Sequence, residues 1–165
     1  KRHITLGLGP DAMTPLFKKL NLGAHTTIHV LNAPSSFEAE LDALEGVTIK
    51  RAARGAVQFG MAFVITQAEL DAASRTLTAS AEGDAILWMV YPKGTSKRYR
   101  CEFNRDSGWQ VLGDAGFEPV RMVAVDKDWA ALRFRRSSYI KSMTRSATNA
   151  ISKDGKQRTK GSATR

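Results

Sequence analysis

The sequence predicts an α/β protein: a three-layer Rossmann-like sandwich on a mostly parallel sheet, closed by a C-terminal antiparallel hairpin. Three observations carry that prediction. Strand-like and helix-like segments alternate along the chain, the pattern that packs helices on both faces of a parallel sheet. Two runs, Val57 to Thr66 and Ala85 to Tyr91, are almost continuously apolar, as in strands buried on both faces. The last two strand-like segments flank Asp126-Lys127-Asp128, and the second of them alternates apolar with charged residues, as a half-buried strand does.

Each element has a local reason. Met13 to Leu20 reads as a short helix, with Thr14 as N-cap, Pro15 at the first helical position and Gly23 beyond the end. Thr27 to Leu31 is the first strand. Ser35-Ser36-Phe37-Glu38 fits a capping box, and the helix it opens presents Phe37, Leu41 and Leu44 on one face. Val47 to Lys50 is the second strand, closed by a turn at Arg54-Gly55. After the third strand, Thr66-Gln67-Ala68-Glu69 repeats the capping pattern and starts a helix to about Ser80, with Leu70, Ala73 and Leu77 as its apolar stripe. A helix is expected from Asn104-Arg105-Asp106 through Trp109 and Leu112 to Gly116. Pro119 to Val125 and Trp129 to Arg135 form the hairpin. Met61, Phe63, Ile65, Leu87 and Met89 are the expected core, packed with Leu41, Leu70 and Leu112.

At 165 residues, 42% hydrophobic and 25% charged, the chain fits one domain with a sizeable core. Its uninterrupted apolar stretches, Met61 to Ile65 and Ala85 to Tyr91, fall far short of the roughly 20 residues of a membrane helix. The single cysteine, Cys101, excludes an intramolecular disulfide and a cysteine-built zinc site. No apolar stretch follows the basic Lys1-Arg2 start, so a cytoplasmic setting is expected.

The net charge of +9 is localised. From Arg133 to Arg165 there are ten basic residues against one acid, Asp154, whereas residues 1–132 carry fifteen of each sign. Every aromatic residue lies at or before Tyr139, and the rest is rich in Ser, Thr, Lys and Arg. The organisation expected is therefore a single α/β domain over residues 1–139 and a basic, largely flexible tail over 140–165, mobile from about Ser152. Removing residues 141–165 is expected to leave the body folded.

Several segments together resemble a bacterial family of domains of unknown function, numbered 3052. They are Thr14-Pro15-Leu16 with Lys18-Lys19-Leu20, Val30-Leu31-Asn32-Ala33-Pro34, Leu87-Trp88 with Tyr91-Pro92-Lys93, and Gly116-Phe117-Glu118 through Val125-Asp126-Lys127-Asp128-Trp129. The resemblance spans Thr14 to about Arg136 and implies a small α/β fold and a bacterial cytosolic setting. It brings no assigned activity, so no catalytic residue comes with it. By analogy with class I methyltransferase-like folds, less one βα unit, the strand order is 2-1-3-4-6-5.

Ligands of open parallel sheets sit at the carboxyl ends of the strands, near the reversal of strand order. That edge collects Asn32, Ser35, Ser36, Thr66 and Lys93 as ligand-binding candidates, with two helix starts and one cation suited to an anion. The first loop, Asn32-Ala33-Pro34-Ser35-Ser36-Phe37, has no glycine, and Pro34 removes a donor. The second strand ends in Lys50-Arg51 where a ribose-binding acid belongs. No cofactor is therefore expected, neither S-adenosylmethionine nor NAD. His25 and His29 are four apart, but no cysteine or clear acidic partner accompanies them, so His29 is read as a packed strand residue and no metal is expected. Asp126 and Asp128 read as turn residues. Charged neighbours of Cys101 could lower its pKa, yet no partnered histidine makes it a nucleophile, and no catalytic residue is assigned.

Lys97, Arg98, Tyr99 and Arg100 interleave bases with an aromatic ring, and no acid occurs from Ala85 to Cys101. With Lys141, Arg145, Lys153, Lys156, Arg158 and Lys160 of the tail they are the nucleic-acid candidates. The function expected is a non-catalytic binding or regulatory domain whose basic tail suits nucleic acid or another polyanion. The alternative is an enzyme acting on an anionic small molecule at the strand ends.

Overall fold

The computed structural model describes residues 14–104, 106–140 and 150–157. In chain order they form α1 (Pro15–Lys19), β1 (Thr27–Leu31), a 3-10 turn (Ser35–Phe37) running into α2 (Glu38–Asp42), β2 (Thr48–Lys50), β3 (Val57–Phe63), α3 (Gln67–Ser80), β4 (Ala81–Pro92), α4 (Gln110–Asp114), β5 (Phe117–Ala124) and β6 (Trp129–Arg136), followed by a 3-10 turn (Ser137–Tyr139).

One sheet has the order β2-β1-β3-β4-β6-β5, the order implied by the fold analogy. β2, β1, β3 and β4 pair in parallel, while β6 runs antiparallel to both β4 and β5. The order reverses between β1 and β3, so the carboxyl ends of these strands flank a crevice.

Helices cover both faces, and the core is double. On one face α1, α2 and the turn before it place Phe17, Leu20, Phe37 and Leu41 over Ile28, Met61, Phe63 and Trp88. On the other, α3 and α4 place Leu70, Leu77 and Leu112 over Ala62, Leu87, Met89 and Phe134. The expected core residues thus divide between two layers, and Ile65 packs only at the margin of the first. The apolar character of residues 59–63 in β3 and 85–91 in β4 follows from this, because both faces of these segments are buried. Gly60 of β3 lets α3 sit close: a Cβ there would stand 2.9 Å from Val57 Cγ1 and 3.0 Å from Leu77 Cδ2.

The helix starts divide into those that follow the sequence signal and those that do not. Thr14 Oγ1 accepts from the Phe17 amide at 3.1 Å and caps α1. Thr66 and Glu69 form the full reciprocal capping box of α3. Ser35 caps nothing. The cap position of the 3-10 turn is Pro34, which has no polar side chain, and the Glu38 carboxylate binds Arg51 bidentately at 2.8 Å in place of closing the expected capping box. The helix expected from Asn104 begins only at Gln110: Asn104 Oδ1 accepts from the Asp106 amide at 2.8 Å, an Asx turn that competes with helical pairing.

The end of the chain also departs from expectation. Residues 150–157 lie against the body, with Ala150 and Ser152 buried and a helical turn over 153–157. Their anchor is Glu118 of β5, a fully buried carboxylate that accepts from the amides of Ile151 and Ser152 and from Ser152 Oγ. Gly155 and Gly113 make the approach possible: a Cβ on Gly155 would overlap the Glu118 carboxylate, and one on Gly113 the Ile151 carbonyl. Mobility from Ser152 onward therefore does not hold for residues 152–157. No helix among the described residues is long and apolar enough to cross a membrane.

Candidate functional site

A groove of about 880 Å³ opens at the carboxyl end of β4. Its floor is aromatic. Tyr91 stands next to the end of β4, its ring 5.4 Å from Trp109 and 6.0 Å from Phe103, and its hydroxyl lies 3.3 Å from Met122 Sδ on β5. The wall is the loop 93–104, which adds Lys93, Ser96, Tyr99, Arg100 and Asn104.

Polar contacts tie that loop at both ends. Lys93 donates its amide to the Asp128 carbonyl at 2.7 Å, and Ser96 Oγ donates to Asp128 Oδ1 at 2.9 Å. Ser96 Oγ in turn accepts from the amides of Arg98 and Tyr99. The Tyr99 ring packs 4.9 Å from Trp129, with the Arg98 guanidinium 5.9 Å above it. At the far end the Glu102 amide donates to the Ile65 carbonyl at 3.2 Å, and Glu102 Oε1 accepts from the Gln67 amide at 2.8 Å.

This last bond settles the chemistry of the α3 N-terminus. The helix start that could bind an anion already holds two internal ones, since Glu69 accepts from Ile65 and Thr66 while Glu102 takes Gln67. The carboxyl end of β2 is likewise engaged. There Arg51 pairs with Glu38, and its hydrogen bonds hold the Glu38 carboxyl below the usual carboxylate range.

The candidates read from the sequence are thus redistributed. Lys93, Tyr99 and Arg100 line the groove together. Asn32, Ser35 and Ser36 are exposed at the end of β1 and line no part of it, and Thr66 serves as a cap. Asn32 takes φ +61°, the left-handed backbone that Asn tolerates. Lys97 and Arg98 are exposed on the outer side of the loop. Lys153 and Lys156 are exposed on the docked turn, whereas Lys141, Arg145, Arg158 and Lys160 lie outside the described residues.

Three further sequence readings meet the structure here. Cys101 lines the groove, but burial pushes its thiol pKa up and not down, so the charged neighbours do not activate it. His29 is buried in β1 with Nε2 3.2 Å from the Arg54 carbonyl, while His25 packs its ring 6.3 Å from Phe59. Asp126 Oδ1 accepts from the amides of Asp128 and Trp129, the turn role expected. The sequence reading missed Glu102 and Met122. The available signal was the acid-free stretch from Ala85, which ends at Glu102.

No protein-family model matches the sequence, and no curated protein matches it. Solved structures do match in fold. A SAM-dependent methyltransferase from Aquifex aeolicus is 14% identical with a TM-score of 0.52, over 79% of this chain and 93% of that one. The magnesium protoporphyrin IX methyltransferase of Synechocystis PCC 6803, solved with bound SAM, is 16% identical with a TM-score of 0.47, over 74% of each chain. The pyocyanin biosynthetic protein PhzM is 11% identical with a TM-score of 0.44, over 68% of this chain, which spans half of that protein's length. At such identities the likeness is one of architecture: the chain has a methyltransferase-like Rossmann α/β fold.

Proposed function

We propose that this chain is a non-catalytic binding domain on a methyltransferase-like scaffold, and that its ligand is a single-stranded nucleic acid taken in the groove beside β4. One observation carries the reading: the groove sets Lys93 and Arg100 beside the half-buried ring of Tyr99, over a floor in which Tyr91 and Phe103 are buried. The cations can pair with phosphates and the Tyr99 ring can stack on a base, which together suit a strand bound with little sequence preference. Basic residues of the C-terminal stretch add phosphate contacts.

The reading is supported by what fills the cofactor side of the sheet. The loop after β1 offers no glycine for close backbone approach, and Pro34 has no amide proton. Glu38 and Arg51 close on each other at the end of β2, and Glu102 occupies the Gln67 amide. These residues do not fit the methyl donor that the fold family suggests. A second reading draws on the size of the groove, which lies within the range of small-ligand pockets. In it the domain is an enzyme whose anionic small-molecule substrate occupies the same place.

The test is fluorescence anisotropy with a labelled single strand of about 12 nucleotides, within the span of known single-strand grooves. Binding should strengthen as salt falls and weaken at least tenfold when Lys93 and Arg100 are both changed to Ala. Absence of binding at low salt, or equal binding by that variant, overturns the proposal.

A further inference from the structure

Strands β5 and β6 pair in a register that sets Arg121 directly opposite Arg133. Arg133 is also opposite Trp88 on β4, so both arginines belong to the face covered by α1. Directly opposed residues of an antiparallel pair have Cβ atoms about 4.5–5.5 Å apart, and like charges placed there oppose folding. Two permanently charged guanidiniums therefore share one small patch.

The neighbouring cation is answered. Arg135 donates from Nε and Nη2 to the two carboxylate oxygens of Asp84 at 2.8 and 2.6 Å. Arg121 is steadied and not neutralised, because its Nη1 donates to the neutral Asn21 Oδ1 at 3.0 Å. Among the described residues Arg133 has neither kind of partner. It is half-buried, and its Nε is shut off from solvent without a hydrogen bond. Burial, with the charges of Arg135 and Arg121, disfavours its cation, and Asp84, which favours it, is already engaged. A half-buried guanidinium left unpaired is a cost to the fold that an apolar side chain would not carry.

We infer that Arg121 and Arg133 form a phosphate-binding site, distinct from the groove and on the opposite face of the sheet. A tetrahedral oxyanion seated between the two side chains accepts from both and cancels their repulsion. Arg is suited to this by its planar array of donors. The ligand is a phosphoryl group, and it can be supplied by inorganic phosphate or by a phosphodiester.

The experiment uses the full chain, reading its melting temperature and its arginine Nε–Hε resonances by NMR. Sodium phosphate is compared with sodium chloride at equal ionic strength, and a short phosphodiester forms a second arm. Phosphate should raise the melting temperature more than chloride and shift the Arg133 resonance. Arg133→Met should reduce the apparent phosphate affinity at least fivefold, yet melt no lower than the unchanged protein in phosphate-free buffer. Arg121→Gln supplies a second variant with the same expected loss. A response to inorganic phosphate assigns the site to a free anion, and one to the diester alone assigns it to a strand backbone; either upholds the inference. No difference from chloride in both arms, or variants that respond like the unchanged protein, overturns it.

Discussion

Glu118 Oε2 receives both the amide and the hydroxyl of Ser152 at 2.6 Å, across 34 residues of sequence. The carboxylate is fully buried, and it accepts from the Ile151 amide and from the amide and hydroxyl of Ser152, donors of this one segment of the basic C-terminal stretch. A buried acceptor stripped of its donors costs about 1–3 kcal/mol, and more when charged. Removing residues 150–165 should therefore destabilise the domain by about 2–4 kcal/mol in urea unfolding, whereas removing 158–165 should leave it unchanged. The expectation that the whole of 141–165 is dispensable gives way to this contact. Equal midpoints for the two truncations would show that Glu118 finds water instead.

The same contact shows where sequence reading stops. β3 and β4 are legible because apolar runs report burial on both faces, and Thr66-Glu69 is legible because a capping box is a local device. The join of Glu118 to Ser152 uses polar residues of ordinary type, and only the fold brings them together. The delayed start of α4 has a similar cause: one Asn104 side chain decides between a turn and a helix. At the candidate site, the cations and rings of the 93–104 loop were visible as composition. That Glu102 turns back to Gln67 was not, because a carboxylate carries no mark of the amide it will meet.

Phe63 and Leu87 test the two layers separately. Phe63 packs 4.9 Å from Phe37 and 5.2 Å from Trp129 on one face, and Leu87 lies fully buried beneath α3 on the other. Truncating either to Ala should cost roughly 2–5 kcal/mol, by loss of burial and creation of a cavity. Because the sheet separates them, the double variant should lose about the sum of the two. Chemical denaturation of the three variants checks this.

Asp84 gives the fold a dependence on acid. The hydrogen bonds of Arg135 hold its carboxyl below the ordinary aspartate value of 3.8. A group lowered in the folded state stabilises above its unfolded value, and that stability is lost as pH falls through the lowered one. The pair is about one-third exposed, so its worth is under about 1 kcal/mol. Asp84→Asn should lower stability at pH 7 by that amount, with the difference from the unchanged protein vanishing well below pH 3.8. Melting curves across that interval measure it.

S-adenosylmethionine and NAD should not bind with useful affinity. The argument rests on Pro34 in a glycine-free loop and on the Glu38–Arg51 pair at 2.8 Å, which fills the place of a ribose-binding acid. Calorimetric titration should show no heat of binding at concentrations up to about 1 mM, a limit that corresponds to roughly −4 kcal/mol. Micromolar binding of either compound would return the scaffold to enzymatic work.

The basic end of the chain makes a prediction of its own once the docked turn is set aside. Residues 158–165 contain Arg158, Lys160 and Arg165 and no acid, so their removal takes away three positive charges and no part of the Glu118 contact. Each phosphate neutralised on a single strand contributes about −0.7 to the slope of log affinity against log salt. If all three residues touch phosphates, the truncated protein should show a slope shallower by about 2, with little change in sequence preference. The groove variant lacking Lys93 and Arg100 should lose at most about 1.4 by the same reasoning, while the Tyr99 ring stays in place in both variants. Anisotropy titrations at four salt concentrations separate the two contributions. A truncation that binds with an unchanged slope would confine strand recognition to the groove, and the terminal charges would then serve only solubility.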